Sequence, residues 1–260
     1  MYRFLITLFF LIIISTGAKA QSVGLSFYTV APDQAEAGKL YLSYDTNYAV
    51  RAIRPFGEDG VEQRTGVVYG ITQNLDLLGV ASALIDGNSA IHMGSVQVEL
   101  MQKIFSQKDH FVNVAASVGF LREYLGSTVL MARLAFGRNA GRFNLRGNAV
   151  FEKPFAKNRD PMDFITTVAA GYQISSWFWG GIDAIGEDLE GFFEPDEAEG
   201  GAKLMVGPTV KMRFSRRMQF RLGAGPIFYL TKSTSISDAP RYLPPGKSGY
   251  TIRVSMIYGI

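Results

Sequence analysis

The sequence predicts an all-β chain closed into an antiparallel transmembrane barrel of about 12 strands, preceded by a cleaved signal peptide. Three observations predict it. Apolar and polar residues alternate with the period of a strand throughout the chain beyond residue 38. The alternating runs are about ten to thirteen residues long, the length a tilted strand needs to cross a bilayer. Their connections alternate between short and long, the asymmetry of barrels that span a membrane.

In chain order, Met1–Arg3 is short and basic, and residues 4–14 (FLITLFFLIII) are an unbroken apolar run. Ala18-Lys19-Ala20 then sets small residues where a signal peptidase reads, so residues 1–20 are expected to be removed before Gln21. The apolar run is too short for a comfortable membrane anchor. Arg3 and Lys19 leave with the signal, which lowers the net charge from +3 to +1. The basic pI is then no argument for nucleic acid, whose footprint would be a clustered basic face. The chain has no cysteine, so lipidation, disulfides, thiolate chemistry and cysteine zinc sites are excluded. Residues 21–38 are expected to be a periplasmic extension or a plug in the lumen, with Leu25, Phe27, Tyr28 and Val30 apolar enough to pack on something. Residues 39–260 form the barrel.

The runs are 39–52, 61–72, 75–86, 91–104, 110–122, 127–138, 142–154, 163–174, 177–187, 201–214, 218–231 and 248–260. In the first, Leu40, Leu42, Tyr44, Thr46 and Tyr48 form a lipid face, with Tyr41, Ser43, Asp45 and Asn47 opposite. The third (LDLLGVASALI) alternates least clearly and leaves its facing open. The seventh sets Phe143, Leu145, Gly147, Ala149 and Phe151 against Asn144, Arg146, Asn148, Val150 and Glu152. The tenth and eleventh alternate in the same way, and their Gly-Pro pairs at Pro208 and Pro226 are read as bulges that curve the wall. Tight connections (72–74, 105–110, 137–142, 175–176, 215–217) fall on the side of the termini, and long ones (54–60, 153–163, 186–200, 231–248) on the other. Aromatics gather at run ends on the apolar faces, where interfacial girdles would lie: Tyr44, Tyr48, Tyr69, Phe136, Phe143, Phe151, Tyr172, Phe214, Phe228 and Tyr258.

A sheet survives in a bilayer only by closing on itself, so the last run is expected to pair with the first. Arg253 and Asp45 would then face the lumen on neighbouring strands and could pair across the seam. The last run carries alternate apolar residues and an aromatic third from its end. It resembles the assembly signal of bacterial outer-membrane barrels, although Ile260 stands where those usually carry Phe or Trp. This resemblance implies the bacterial outer membrane, contact with its lipid and lipopolysaccharide, and recognition of residues 249–260 by the barrel-assembly machinery. VVYGITQNLDLLGV (67–80), GYQISSWFWGGIDAIGE (171–187) and the Gly-Pro pairs 207–208 and 225–226 resemble the hairpins of the phenol meta-pathway and transporter-like outer-membrane family. That resemblance spans most of the mature chain. It implies a barrel acting in uptake or export of small, often aromatic compounds, and it transfers no binding residue.

The lumen is where function would lie. Inward positions collect acids (Asp45, Glu62, Asp76, Glu99, Glu152, Asp183, Glu187) and bases (Arg64, Lys103, Arg133, Arg146, Lys203, Lys211, Arg213, Arg221, Arg253). The leading expectation is a passive channel or transporter for small solutes. Its basic wall is Lys203, Lys211, Arg213, Arg221 and Arg253, with Asp45, Glu99, Asp183 and Glu187 as its acidic lining. The alternative is a closed structural or adhesive barrel, its charges cross-paired, acting through its loops. A lipid hydrolase is the third reading, but there are only two histidines, His92 and His110, and no G-x-S-x-G elbow. His92 with Ser89 or Ser95 is its sole candidate pair. No catalytic residue, cofactor or metal ligand is assigned. The loop 186–200 carries Glu187, Asp188, Glu190, Glu194, Asp196, Glu197 and Glu199 without EF-hand spacing, and reads as a solvated loop before a weak cation site. Phe192 and Phe193 within it suggest packing over the barrel mouth.

Overall fold

The computed structural model describes residues 28–32, 35–52, 54–57, 59–85, 90–123, 126–155, 162–189, 202–229 and 248–260. The expectations for residues 1–27, Ser89, Phe192, Phe193 and the acids from Glu190 to Glu199 lie outside them.

The described chain folds as β1 (Leu40–Val50), β2 (Gly60–Gly70), β3 (Leu75–Ile85), β4 (Ile91–Phe105), β5 (Asn113–Arg122), β6 (Thr128–Ala140), β7 (Phe143–Pro154), β8 (Asp163–Gln173), β9 (Phe178–Glu187), β10 (Lys203–Arg213), β11 (Met218–Tyr229) and β12 (Gly249–Gly259). Each strand pairs antiparallel with its successor, and β12 returns to pair with β1, from Tyr41 opposite Gly259 to Val50 opposite Tyr250. The barrel is closed. A strand of this length rises about 36 Å, and tilted by about 45° it crosses the ~25 Å apolar band of an outer-membrane-type bilayer.

The faces identify the solvent on each side of the wall. Val118 and Phe120 are 62% and 59% exposed, while Ser117 and Glu99, on the inward face beside them, are 5% and 1% exposed. Apolar side chains outside and charges inside invert a water-soluble sheet, and this is a lipid-facing wall. The aromatics at strand ends also point outward and pair across strands, as in Phe143–Tyr172 and Phe151–Phe164, both with ring centroids 4.8 Å apart.

At the terminal side, four turns share one device, and in one of them Ser106 accepts the Lys108 amide at 3.3 Å. In the other three, Thr72, Ser175 and Ser215 each accept a backbone N–H from two residues ahead (from Asn74, Trp177 and Arg217) on the side-chain oxygen. A short hydroxyl thus replaces a ladder partner where the chain reverses. β5 starts at Asn113, later than residue 110, because the amides of Asp109 and His110 both close on the Ser106 carbonyl at 3.0 and 2.9 Å.

β3, whose sequence left its facing open, turns Asp76, Leu78, Val80 and Leu84 to the lumen. The two prolines are not bulges. The β10–β11 register is the same before and after them, with Met205 opposite Ile227 and Thr209 opposite Gly223. Irregularities fall instead between β3 and β4 and between β4 and β5. Pro208 and Pro226 lack the N–H that a ladder needs, so pairing lapses between these points without a slip. The strands also press together there: a Cβ on Gly207 would lie 1.8 Å from the Ala224 carbonyl oxygen.

Candidate functional site: the barrel lumen

Among the described residues, two pieces of chain that are not part of the wall occupy the lumen. The first comprises residues 28–32 with 35 and 36. The Ala35 amide donates to Asp76 Oδ2 (3.0 Å) near the tight-turn end. Farther in, the Val30 amide donates to Asn148 Oδ1 and the Val30 carbonyl accepts from Asn148 Nδ2, both at 2.8 Å. Asn148 therefore reads this backbone as a neighbouring strand would. The Tyr28 hydroxyl donates to the Phe56 carbonyl at 3.2 Å and lies 3.4 Å from Thr251 Oγ1.

Phe56 belongs to the second piece, the loop from β1 to β2. Its ring is fully buried in a cluster with Ala49, Leu121, Val129, Met131, Val150, Ile165, Ile185, Met205 and Ile227. These come from β1, β5, β6, β7, β8, β9, β10 and β11, so the cluster is an apolar layer crossing the barrel near its long-loop end. Next to Phe56, Arg54 reaches Glu123 at 2.7 Å and Glu152 at 2.9 Å. Burial disfavours its charge, but the two carboxylates outweigh that and hold its pKa above the usual arginine value.

Between these pieces and the wall lies a cavity of about 290 Å³. Leu78, Val80 and Met101 form an apolar side, and Arg64, Arg221 and Arg253 line another together with Glu62, 3.9 Å from Arg64, and Asp45.

The sequence-selected bases divide into two groups. Lys203 stands apart at the long-loop end, its Nζ 2.5 Å from Glu187 and 4.0 Å from Asp188. Lys211, Arg213, Arg221 and Arg253 lie on adjacent strands lower in the wall. The Arg253 guanidinium is 3.5 Å from Asp45 across the β1–β12 seam. Lys211, 1% exposed, faces Arg221 on one side and Trp179 on the other. Its ammonium and the Arg213 guanidinium sit over the Trp179 ring at 4.5 and 4.9 Å. Lys211 thus has Arg221 directly across the ladder and Arg213 beside it over the same ring. Among the acids, Glu99 is bound by Arg133 at 2.8 Å, by Gln97 at 2.9 Å and by the Ser117 hydroxyl. Asp183 is buried opposite Gly207.

The carboxylates of Asp163, Glu187 and Asp188 come within 4.8 Å of one another, yet the Lys203 ammonium occupies the place of a cation beside them. For the hydrolase reading, Ser95 points to Ser82, with hydroxyl oxygens 3.2 Å apart and its amide donating to Ser82 Oγ at 2.7 Å. His92 lies at the long-loop end of β4 and His110 in the turn at the other side.

Sequence reading missed Phe56, Arg54 and Trp179. The inward aliphatics Val150, Met205 and Ile227, on the same faces as charged residues, were the available signal for an apolar layer.

No family model matches the chain, and no curated protein matches it by sequence. Solved structures do resemble it. An outer-membrane channel from Pseudomonas putida F1 superposes with a TM-score of 0.58 at 10% identity, over 92% of this chain and 100% of that one. The NanC porin gives 0.57 at 10% identity, over 84% and 98%. The KdgM porin, solved in complex with disordered oligogalacturonate, gives 0.53 at 9% identity, again over 84% and 98%. The fold is that of the outer-membrane channel barrels.

Proposed function

We propose that the chain is a passive channel of the bacterial outer membrane for small solutes, seen here in a closed state. One observation carries this reading: the lumen is filled by a segment and a loop that hang from the ends of the wall, beside a charged cavity. Barrels of eight strands fill their interior with wall side chains, and wider ones leave space. Removable pieces are a way to close such a space. That NanC and KdgM are porins, and the P. putida protein a channel, supports the reading.

Lys211, Arg213, Arg221 and Arg253 favour anions along the β10–β12 side, as charged linings do in other pores. The resemblance to the phenol meta-pathway family adds aromatic compounds as the solute class, and the apolar β3 wall beside Arg64 suits an amphipathic anion. The apolar outer face of β12 is our candidate address for the assembly machinery, with lipid and lipopolysaccharide as the wall's surroundings.

The test is ion selectivity in planar bilayers under a salt gradient. Discrete steps with an anion-selective reversal potential are expected, shifting toward cations in Lys211→Glu and Arg213→Glu. Cation preference in the wild type, or no shift in either variant, overturns the assignment of the basic wall. The paired charges Glu99–Arg133 and Lys203–Glu187 favour the second reading, a closed structural barrel acting through its loops. Complete absence of current would support it.

A further inference from the structure

We propose that the loop joining β1 to β2 is a lid that gates the barrel from its long-loop end, with Phe56 as its plug and Arg54 as its latch. The proposal rests on the channel reading, and adds what opens and closes the pore on that side.

The loop is built to reach inward and stay there by side-chain contacts. It leaves β1 at Arg51, which adopts a positive φ of 51°. The Arg51 carbonyl accepts from the Tyr229 hydroxyl at 2.6 Å and its amide donates to Asp59 at 2.6 Å, fixing the base of the loop. It rejoins the wall through Gly57 and Gly60, with φ of 125° and 124°, values that a side chain disfavours. At Gly57 a Cβ would also lie 2.1 Å from Asn47 Nδ2, so a side chain there would have to turn the Asn47 amide aside. Between these points Ala52 and Phe56 enter the apolar layer, at 1% and 0% exposure.

A surface loop of polar turn residues would ordinarily be solvated. This one instead inserts a phenyl ring into aliphatics from opposite sides of the wall, a seat that exists only across the lumen. Arg54 spans to β7 and to Glu123 beyond the end of β5, remote from β1 around the circumference. Both acids are 2% exposed, so loss of Arg54 would strand two buried carboxylates. The Phe56 carbonyl accepts from Asn47 at 3.5 Å and from Tyr28 at 3.2 Å, so the lid also touches the segment that enters from the other end. Apolar constrictions close pores by excluding water, and a ring set in an aliphatic collar is one.

The absence of native cysteine makes the test direct, because one introduced thiol is the only one. Ala52→Cys places it on the lid within the collar, and Lys108→Cys places a control on the exposed turn at the other end. Labelling by a bulky maleimide in detergent is followed on the folded full chain. Ala52→Cys is expected to react about 100-fold more slowly than the control, as a site reached only by local opening. Adding Arg54→Ala or Phe56→Ala is expected to speed it by about tenfold or more. Equal rates for Ala52→Cys and the control overturn the lid, as does the absence of acceleration in both double variants. Currents recorded on the same proteins separate the two claims. Faster labelling with silent bilayers leaves the lid standing and removes the channel. Steps unchanged by Arg54→Ala and Phe56→Ala leave the channel standing and remove the lid.

Discussion

Replacing Arg133 by leucine tests whether the charges inside this wall are held as described. Glu99 is 1% exposed and takes two hydrogen bonds from Arg133, Nε to Oε1 at 2.8 Å and Nη2 to Oε2 at 3.3 Å. Gln97 and Ser117 supply two more contacts, and the pair spans β4 to β6 across β5. Among the described residues, Arg133→Leu removes the one full positive charge bonded to that carboxylate. Breaking a buried pair from one side costs about 3–5 kcal/mol, because the remaining charge is stranded. The two neutral donors soften this, so a loss of about 3 kcal/mol is expected. The assay is urea unfolding of the barrel refolded in phospholipid vesicles, followed by fluorescence of Trp177 and Trp179. Glu99→Leu combined with Arg133→Leu should recover most of the loss, since an apolar pair of similar volume replaces a buried ion pair at little cost. A single-variant loss under about 1 kcal/mol, the range of a solvated surface pair, would refute the buried-pair reasoning.

Three further outcomes follow from the same wall. Lys211→Met removes a buried cation set beside Arg221 and Arg213 and should raise stability, by on the order of 1 kcal/mol in the same unfolding assay; a loss would contradict the clustering. Val118→Arg, on the outer face at mid-strand, should cost about 2–4 kcal/mol in vesicles, the depth-dependent penalty of charge facing lipid. A neutral result would place that face elsewhere. Gly207→Ala forces a methyl group onto the Ala224 carbonyl oxygen and should cost about 1–3 kcal/mol by unfolding midpoint, whereas no change would mean that the β10–β11 contact is looser than described.

Period-two alternation made the strands legible because lipid outside and a polar lumen inside impose opposite demands on successive residues. The same rule made Asp45, Glu99, Asp183 and Lys211 legible as inward. Alternation was silent at β3, where Leu78, Val80 and Leu84 give the lumen face the same chemistry as the lipid face. It was silent again at the β1–β2 loop. Gly57 and Gly60 mark a turn in the sequence, but whether that turn points to water or into the barrel depends on Glu123, Glu152 and the collar, all distant along the chain. The prolines misled for a related reason: a missing N–H can be absorbed by a bulge or by a gap, and the close glycine contact between β10 and β11 decides for the gap.

The central claim is that a channel wall surrounds pieces of chain that close it. It is tested most directly by single-channel recording of the full chain carrying Arg54→Ala and Asn148→Ala together. These changes remove the latch of the loop and the backbone-reading contacts that hold Val30. Frequent discrete steps, rare in the wild type at the same voltage, are the result the account predicts. A folded double variant whose steps are as rare as those of the wild type would contradict it.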